Sequence, residues 1–150
     1  MITIDSDLQS AEGLNKAVDI LYAFIKSTSK ALGIGIENDR MSNYHRLIEM
    51  AKRIVIENCS GDVSLKNIAR ELGLSSFYFS KLFKKEEGMN YKDFVISVRM
   101  EKAKELIQEG KLNVNEVAIA VGYNNNTYFG KAFKNYFGIT AKDMRLHRKD

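Results

Sequence analysis

The sequence predicts an all-α fold, and three observations lead to that prediction. The 150 residues include no proline, apolar residues recur at helical spacing rather than in strand-like alternation, and one helical pattern occurs twice in the last two-thirds of the chain. We predict a seven-helix domain over residues 41–150, with two helix-turn-helix subdomains joined by a long linker helix. Residues 1–40 are predicted to form an N-terminal amphipathic helix followed by a linker.

The repeated pattern has two parts. Leu65–Gly73 recurs 49 residues later as Val114–Gly122, and Tyr78–Lys84 recurs 50 residues later as Tyr128–Lys134. The change of offset falls in the turn after each glycine, where an inserted residue is tolerated. Each copy is a short apolar helix, a glycine-closed turn and a second helix with aromatic residues and lysines. This is the pattern of a helix-turn-helix, whose second helix enters the major groove of DNA.

Capping chemistry predicts where the helices begin and end. Helix starts are predicted near residues 44, 65, 76, 91, 114, 125 and 142. Three starts pair a capping side chain with an acidic residue three positions later: Asn90 with Asp93, Asn113 with Glu116, and Thr140 with Asp143. Helix ends are predicted at Gly73, Gly88, Gly110, Gly122 and Gly138. The linker helix 91–109 would be ~28 Å long, close to the ~34 Å of one DNA turn.

The N-terminal segment over residues 8–32 carries a heptad-like seam. Its members are Ala11, Leu14, Val18, Leu21, Ile25, Thr28 and Leu32. One interpretation is a parallel homodimer through Ala11 to Leu32. The other is a single amphipathic helix packed on its own domain, which the additional apolar residues Ala17, Tyr22 and Phe24 favour. Gly33–Asp39 is predicted to be the linker.

The distribution of charge and the cysteine content indicate a cytoplasmic protein that binds a polyanion. Residues 1–40 contain 4 Lys/Arg and 6 Asp/Glu, whereas residues 41–150 contain 19 and 13, so the repeat-bearing part is the basic part, as expected of a domain that meets a polyanion. No apolar run approaches the ~20 residues that a bilayer requires, so no membrane partner is predicted. The single cysteine, Cys59, fits a reducing, cytoplasmic location.

Several segments of the basic region resemble those of a known protein family. They are Ile68–Ser75, Leu82–Gly88, Arg99–Leu106, and Val121–Tyr123 through Tyr136–Thr140. With them, Tyr44 to Arg148 resembles the DNA-binding domain of AraC/XylS-type bacterial transcription regulators. The chain departs from the family pattern at Ala141, usually proline, and at Gly130, usually serine or another polar residue. The resemblance implies double-stranded DNA as the partner, and activation of transcription by recruitment of RNA polymerase.

The first predicted recognition helix runs from Ser76 to about Lys85, with Ser75 as its cap. The side chains predicted to contact bases are Ser76, Phe77, Ser80 and Lys81. Phe77 suits thymine methyl groups and Lys81 suits guanine, although Phe77 could instead pack under a neighbouring helix. Ser75 and Lys84 are predicted to contact phosphates. The resemblance implies the same base-reading role for Phe77, Ser80 and Lys81.

The second predicted recognition helix follows Asn124 and Asn125, which we assign to turn and cap. The side chains predicted to contact bases are Asn126, Thr127 and Lys131, and Lys134 is predicted to contact phosphate. Gly130 lies on the same outward face, brings no side chain and costs ~1 kcal/mol of helix propensity relative to alanine. We therefore expect less direct readout from this helix than from the first, and more recognition of the DNA backbone or shape.

We assign no DNA contact to the basic residues outside the two recognition helices. Arg99 and Lys102 match a basic stretch of the family, but Lys102 is spaced to pair with Glu105 within its helix. Arg145, Arg148 and Lys149 form a basic C-terminal cluster, for which solvation is the simpler interpretation.

An enzyme is not predicted. His45, His147 and Cys59 are far apart in sequence, and there is no Gly-rich phosphate loop and no metal-ligand spacing. No catalytic residue, metal or cofactor is therefore predicted, and Cys59 is expected to be a small core or boundary residue. The alternative function is a helical protein–protein interaction module. Family members usually carry a sensor domain, so the chain is either a minimal regulator or the C-terminal part of a longer one. In the second case residues 8–32 would be the last helix of a sensor domain, and their broad apolar face favours this case.

Overall fold

The computed structural model describes residues 39–146 continuously, together with residues 17, 20, 21, 24, 27 and 28. Within 39–146 the structure has seven helices and no strand, which confirms the all-α prediction. The helices are α1 (Asp39–Glu57), α2 (Leu65–Glu71), α3 (Ser76–Glu87), α4 (Tyr91–Glu109), α5 (Val114–Ala120), α6 (Asn126–Phe137) and α7 (Ala141–Leu146).

Predicted helix starts agree with these bounds to within one residue, except for α1. That helix begins at Asp39 rather than near residue 44, because residues 39–43 contain neither the glycine nor the proline that would end a helix. The predicted linker therefore loses its last residue, Asp39, to α1, and residues 33–38 lie outside the described part of the chain.

Most of the predicted N-terminal seam also lies outside the described residues. The six described positions before Asp39 are helical. Leu21, a seam residue, is 61% exposed, and Ile20 and Phe24 are exposed as well. The homodimer and the intramolecular packing of this segment both stay predictions.

The described residues divide into two compact units. The first comprises residues 39–51 and 65–88, which are the beginning of α1 together with α2 and α3. Its buried apolar residues are Ile48, Ala51, Ile68, Ala69, Phe79, Leu82 and Phe83. The rings of Phe79 and Phe83 pack edge to face with centroids 5.8 Å apart, a favoured geometry for an aromatic pair. The predicted inward face of α3 is thereby confirmed.

The second unit comprises residues 52–64 and 89–146, with the end of α1 and helices α4 to α7. One hydrophobic cluster holds it together, with buried residues Met100, Ala103, Ile107, Val117, Ala118, Val121, Phe129, Phe133 and Ala141. Rings continue along α6: the centroid distance is 5.6 Å from Phe129 to Phe133 and 4.7 Å from Phe133 to Phe137. Ala141 is buried here, so the position at which the family usually has proline is filled by a small core residue.

Two long side chains of α4 fasten the loop 58–64 within the second unit. The Tyr91 hydroxyl donates to the carbonyl of Val63 at 2.9 Å, and burial raises the pKa of Tyr91 well above its usual value. The Arg99 guanidinium donates to the carbonyls of Cys59 at 2.8 Å and Gly61 at 3.2 Å. Cys59 itself is buried, as expected for a core or boundary residue.

The predicted capping pairs have different outcomes. Asn113 and Glu116 form a complete capping box at α5, and Thr140 and Asp143 exchange bonds at α7, with the Asp143 N–H donating to Thr140 Oγ1 at 3.1 Å. Asn90 does not cap α4 through its side chain. Its amide donates to the Asp93 carboxylate at 3.2 Å instead, which ties the two side chains to each other rather than to the backbone.

Candidate nucleic-acid interface

The turns that precede the two recognition helices share one hydrogen-bond pattern. The Leu74 N–H donates to the Ala69 carbonyl at 2.8 Å, and the Tyr123 N–H donates to the Ala118 carbonyl at 2.9 Å. Both bonds span five residues around a left-handed glycine, as in a Schellman motif. Four residues separate α2 from α3 and five separate α5 from α6, so the extra residue lies in the turn, as predicted from the two offsets.

Each recognition helix begins at a capping side chain. Ser75 precedes α3, and its hydroxyl accepts the Tyr78 N–H at 3.2 Å. Asn125 precedes α6, and its carbonyl oxygen accepts two backbone N–H groups, from Thr127 at 2.8 Å and Tyr128 at 3.1 Å. The prediction that both residues act as caps is confirmed. The two helices are therefore fixed at the end that a helix-turn-helix presents to base edges.

The outward face of α3 carries most of the side chains that the sequence predicts as DNA contacts. Phe77, Ser80, Lys81 and Lys84 are exposed, whereas Ser75 and Ser76 are half-buried. Phe77 is 37% exposed, so it lies at the surface and is not packed away under a neighbouring helix. The structure places these residues together on one face of the first unit, but their contacts with DNA stay predictions.

Phe77 and Lys81 contact each other, which the sequence interpretation missed. The Lys81 ammonium lies 4.2 Å from the centroid of the Phe77 ring, within the range of a cation–π interaction. The spacing of four residues on a helix was the available signal, because such side chains are neighbours. The pair presents a charged group with an apolar ring beside it as one exposed feature.

The outward face of α6 differs in its chemistry. Asn126, Thr127, Lys131 and Lys134 are exposed, as the predicted contacts require. Gly130 lies among them, and a Cβ atom added there meets no described atom within 4 Å. This face is consequently polar and cationic along its length, with a gap at its centre.

Tyr128 is a further exposed residue of α6 that the sequence interpretation did not single out. Its counterpart in the first copy, Tyr78, is half-buried and packs edge-on against Tyr44, with ring centroids 6.1 Å apart. Tyr128 is 68% exposed. The repeat alignment alone could not reveal this difference, because burial depends on what packs outside the repeated segment.

Three basic residues outside the recognition helices, Arg99, Lys102 and Arg145, make contacts within the second unit. Arg99 bonds to the Cys59 and Gly61 carbonyls and lies 5.5 Å from the Tyr123 ring centroid. Lys102 pairs with Glu105 at 2.9 Å within α4, which confirms the predicted intrahelical pairing. The Arg145 guanidinium donates to the Leu112 carbonyl at 2.9 Å, so the solvated tail predicted for it is wrong. Arg148 and Lys149 lie outside the described residues.

In the described part of the chain, no cluster of three His, Cys, Asp or Glu side chains could hold a metal ion. His45 Nδ1 lies 4.0 Å from the Glu86 carboxylate, and His147 falls outside the described range. Among the described helices, none is long and apolar enough to cross a membrane.

The chain is similar to known helix-turn-helix proteins. A family model described as a helix-turn-helix domain matches residues 68–147. The Msm operon regulatory protein of Streptococcus mutans is 27% identical over 125 residues, covering 83% of this chain and 45% of that protein. The C-terminal domain of AraT, a response regulator from Geobacillus stearothermophilus, superimposes with a TM-score of 0.65 at 31% identity, covering 67% of this chain and 84% of that domain.

A third comparison is informative for the fold. The DNA-binding domain of AdpA, a global transcriptional factor solved in complex with a target DNA, matches with a TM-score of 0.64 at 18% identity, over 67% of this chain and 90% of that domain. The chain spans less than half the length of the Msm operon regulatory protein, whereas it covers 84% of the AraT C-terminal domain and 90% of the AdpA domain. The likeness is therefore to one domain of longer proteins.

Proposed function

This chain belongs to the AraC family of helix-turn-helix transcription regulators, and from that premise we propose that it binds specific sequences of double-stranded DNA and thereby regulates transcription. The observation that carries the proposal is the pair of capped helices, α3 and α6, each of which buries two phenylalanine rings and exposes a lysine-bearing face. Lysines stand at matching places on both faces, Lys81 with Lys131 and Lys84 with Lys134.

In the proposed mechanism α3 reads base edges most directly. Lys81 donates to guanine O6 and N7, Phe77 contacts thymine methyl groups, and Ser80 with the half-buried Ser76 reaches base edges through hydroxyl groups. The contact of Lys81 with the Phe77 ring supports this assignment, because it limits the conformations of the long side chain before DNA arrives. Less rotamer freedom is then lost on binding.

The α6 helix contributes a second set of contacts. Asn126 is suited to hydrogen bonds with adenine. Thr127 and Lys131 are suited to contacts with base edges or nearby phosphates. Lys84 of α3 and Lys134 of α6 are assigned to phosphates, which position the protein without reading sequence. Ser75 is assigned to phosphate as well, although its hydroxyl already caps α3.

The two helices are proposed to enter successive major grooves on one face of the duplex, over roughly 20 bp. Bending of the DNA to admit both would cost ~1–6 kcal/mol. We propose activation as the direction of regulation and RNA polymerase as a protein partner, with a homodimer through Ala11 to Leu32 as a further proposal. The proposed location is the cytoplasm, where bacterial DNA lies, and no enzymatic activity is proposed.

A protein–protein interaction module is the alternative function. The exposed Ile119 and Leu146 would favour it, since apolar surface residues are common at protein interfaces. The cationic outward faces of α3 and α6 favour DNA. If the function is DNA binding, charge reversal on α3 should abolish it while the protein stays folded. A protein–protein interaction module would not show this loss.

Fluorescence anisotropy of labelled duplexes tests the proposal. The full chain is titrated into DNA that flanks its own gene and into a scrambled duplex, over a salt series. We expect a preference of ~10³-fold or more for a specific site. Lys81→Glu should remove that preference while circular dichroism shows the helical content unchanged.

The matched control is Lys102→Glu, which makes the same change of charge on α4, where Lys102 stands among acidic neighbours. It should retain most of the affinity for the specific duplex. Equal losses for Lys81→Glu and Lys102→Glu would mean that net charge, rather than the outward face of α3, governs binding. Absence of binding to either duplex at low salt would instead favour the interaction module.

A further inference from the structure

Arg99 is a half-buried residue of α4 whose guanidinium joins two segments of the second unit that are far apart in sequence. On one side, its Nε donates to the Cys59 carbonyl at 2.8 Å and its Nη2 donates to the Gly61 carbonyl at 3.2 Å. On the other side, the guanidinium carbon lies 5.5 Å from the centroid of the Tyr123 ring, within the range of a cation–π interaction. One side chain therefore holds the loop 58–64 and the turn that precedes α6.

Tyr123 extends this contact to the recognition helix α6. Its half-buried ring packs edge to face against the buried ring of Phe129, with centroids 5.6 Å apart. Burial raises the pKa of the Tyr123 hydroxyl, and the nearby Arg99 charge opposes that rise. The Arg99 guanidinium is thus linked to the core face of α6 through a single ring.

Gly122 leaves the space that the guanidinium occupies. A Cβ atom at this position would lie 2.9 Å from Arg99 Nη2, so a larger residue would displace the Arg99 side chain. Glycine serves two purposes here, since it adopts the left-handed conformation of the turn and permits a close approach.

The first copy is built differently at the corresponding turn. Leu74 is the residue that matches Tyr123, and a Cβ atom at Gly73 meets no described atom within 4 Å. The α3 helix packs instead against α1 through the rings of Tyr78 and Tyr44. The contact made by Arg99 consequently belongs to the second helix-turn-helix.

We propose that Arg99 is a positioning residue for the second helix-turn-helix. It holds the turn 121–125 against the loop 58–64 and thereby fixes the orientation in which α6 binds DNA. A guanidinium suits this role, because its planar fork donates to two acceptors while its face stacks on an aromatic ring. The inference rests on the proposed DNA-binding function, and adds to it a residue that acts through the protein and not through a contact with DNA.

Arg99→Met tests the role, because methionine keeps an unbranched apolar stem and removes the donors. Two duplexes are compared by fluorescence anisotropy: the specific duplex, and one truncated after the block whose base preference Lys81→Ala erases, which leaves only the site of α3. If the binding-competent orientation of α6 falls to about one molecule in ten, affinity for the specific duplex should fall about tenfold. Affinity for the truncated duplex should be unchanged.

Two substitutions at Tyr123 test the same link without removing a charge. Tyr123→Leu, which gives the second turn the residue that the first has at Leu74, should weaken binding to the specific duplex only. Tyr123→Phe keeps the ring and should bind both duplexes as wild type does. Arg99→Lys keeps the charge without the planar fork and should lose less affinity than Arg99→Met.

The matched control is Arg53→Met, which removes the same charge from an exposed position of α1 in the same unit. It should change the affinity for neither duplex. A loss equal to that of Arg99→Met would mean that net charge governs the effect and would overturn the positioning role.

The remaining outcomes separate this role from a purely structural one and from the proposed function. Equal fold losses on both duplexes would mean that Arg99 serves general stability, and unchanged binding to both would mean that α6 is oriented without it. Either result overturns the positioning role while the proposed function stands. If circular dichroism shows that Arg99→Met is unfolded, Tyr123→Leu decides between the same outcomes. Failure of the wild-type chain to bind the specific duplex overturns both proposals.

Discussion

On the outer face of α3 the chain has Phe77 and Ser80, whereas the matching positions of α6 have Thr127 and Gly130. On the inner faces the two copies agree, with Phe79 and Phe83 in one and Phe129 and Phe133 in the other, and all four rings are buried. The copies therefore share what folding of a helix-turn-helix requires and differ in what faces a ligand. The difference suggests a division of work, in which α3 reads bases and α6 holds backbone.

The turns show a second contrast. Gly73 and Gly122 both have positive φ, of 69° and 88°. A Cβ atom at Gly73 meets nothing within 4 Å among the described residues, but one at Gly122 lies 2.9 Å from Arg99 Nη2 and 3.0 Å from the Cys59 carbonyl oxygen. The same backbone conformation is thus required in both copies, while close packing is added in the second copy only.

The largest expected effect comes from substitution of these glycines. Gly122→Ala should destabilise the second unit by about 3 kcal/mol, from left-handed strain of ~1–2 kcal/mol and from disturbed Arg99 bonds, at ~1.5–3 kcal/mol for a hydrogen bond to a charged group. Gly73→Ala should lower the free energy of unfolding by the strain alone, about 1–2 kcal/mol. Urea unfolding followed by circular dichroism measures both. Equal losses would mean that the Arg99 packing adds nothing.

The next effect concerns base readout. Lys81→Ala should lower discrimination between specific and scrambled duplexes by ~1–3 kcal/mol, the value of a good bidentate contact. Lys131→Ala should lower it less, because its helix is assigned mainly to backbone. Anisotropy titrations with both duplexes provide the comparison. Equal relaxation of specificity by the two substitutions would contradict the division of work.

A smaller effect is expected at Phe77. Phe77→Ala removes the cation–π contact with Lys81, at ~0.5–1 kcal/mol for an exposed pair, and the apolar contact with thymine. Replacement of thymine by deoxyuridine in the operator removes the methyl group, and should weaken wild-type binding while leaving Phe77→Ala unaffected. Thr127→Ala, at the matching position of α6, should retain the response to the methyl group. Equal responses of wild type and Phe77→Ala would exclude this thymine contact.

An effect on stability alone is expected at the caps. Ser75→Ala and Asn125→Ala should each lower the free energy of unfolding by about 1 kcal/mol, typical for loss of a cap. Ser75 accepts the Tyr78 N–H, and Asn125 accepts the Thr127 and Tyr128 N–H groups. Thermal unfolding measures both losses, and Asn124→Ala, one residue outside the cap, is the control. A loss for Asn124→Ala as large as that for Asn125→Ala would contradict the capping role.

The internal repeat made most of the fold predictable. Periodic apolar residues and capping side chains placed the starts of six of the seven described helices to within a residue, because capping is a local effect. The start of α1 was missed, since residues 39–43 contain no local stop signal. The Asn90 cap failed for a related reason: its side chain had two possible partners, the backbone and Asp93, and sequence cannot rank them.

The candidate site was predictable in outline only. Helical periodicity identified the outward faces of α3 and α6 together with their lysines. It could not reveal the exposure of Tyr128 or the loop contacts of Arg99, because each depends on residues far away in sequence. Arg145, for example, donates to the Leu112 carbonyl, 33 residues earlier in the chain.

Selection from a library of randomised duplexes would test the central claim most directly. The full chain is used to enrich binding sequences, and the enriched pool is sequenced. We expect two enriched blocks about one helical turn apart, with stronger base preference in one block, which Lys81→Ala erases. A pool without enrichment would contradict specific DNA binding, and two blocks of equal strength that Lys81→Ala and Lys131→Ala weaken alike would contradict the division of work between α3 and α6.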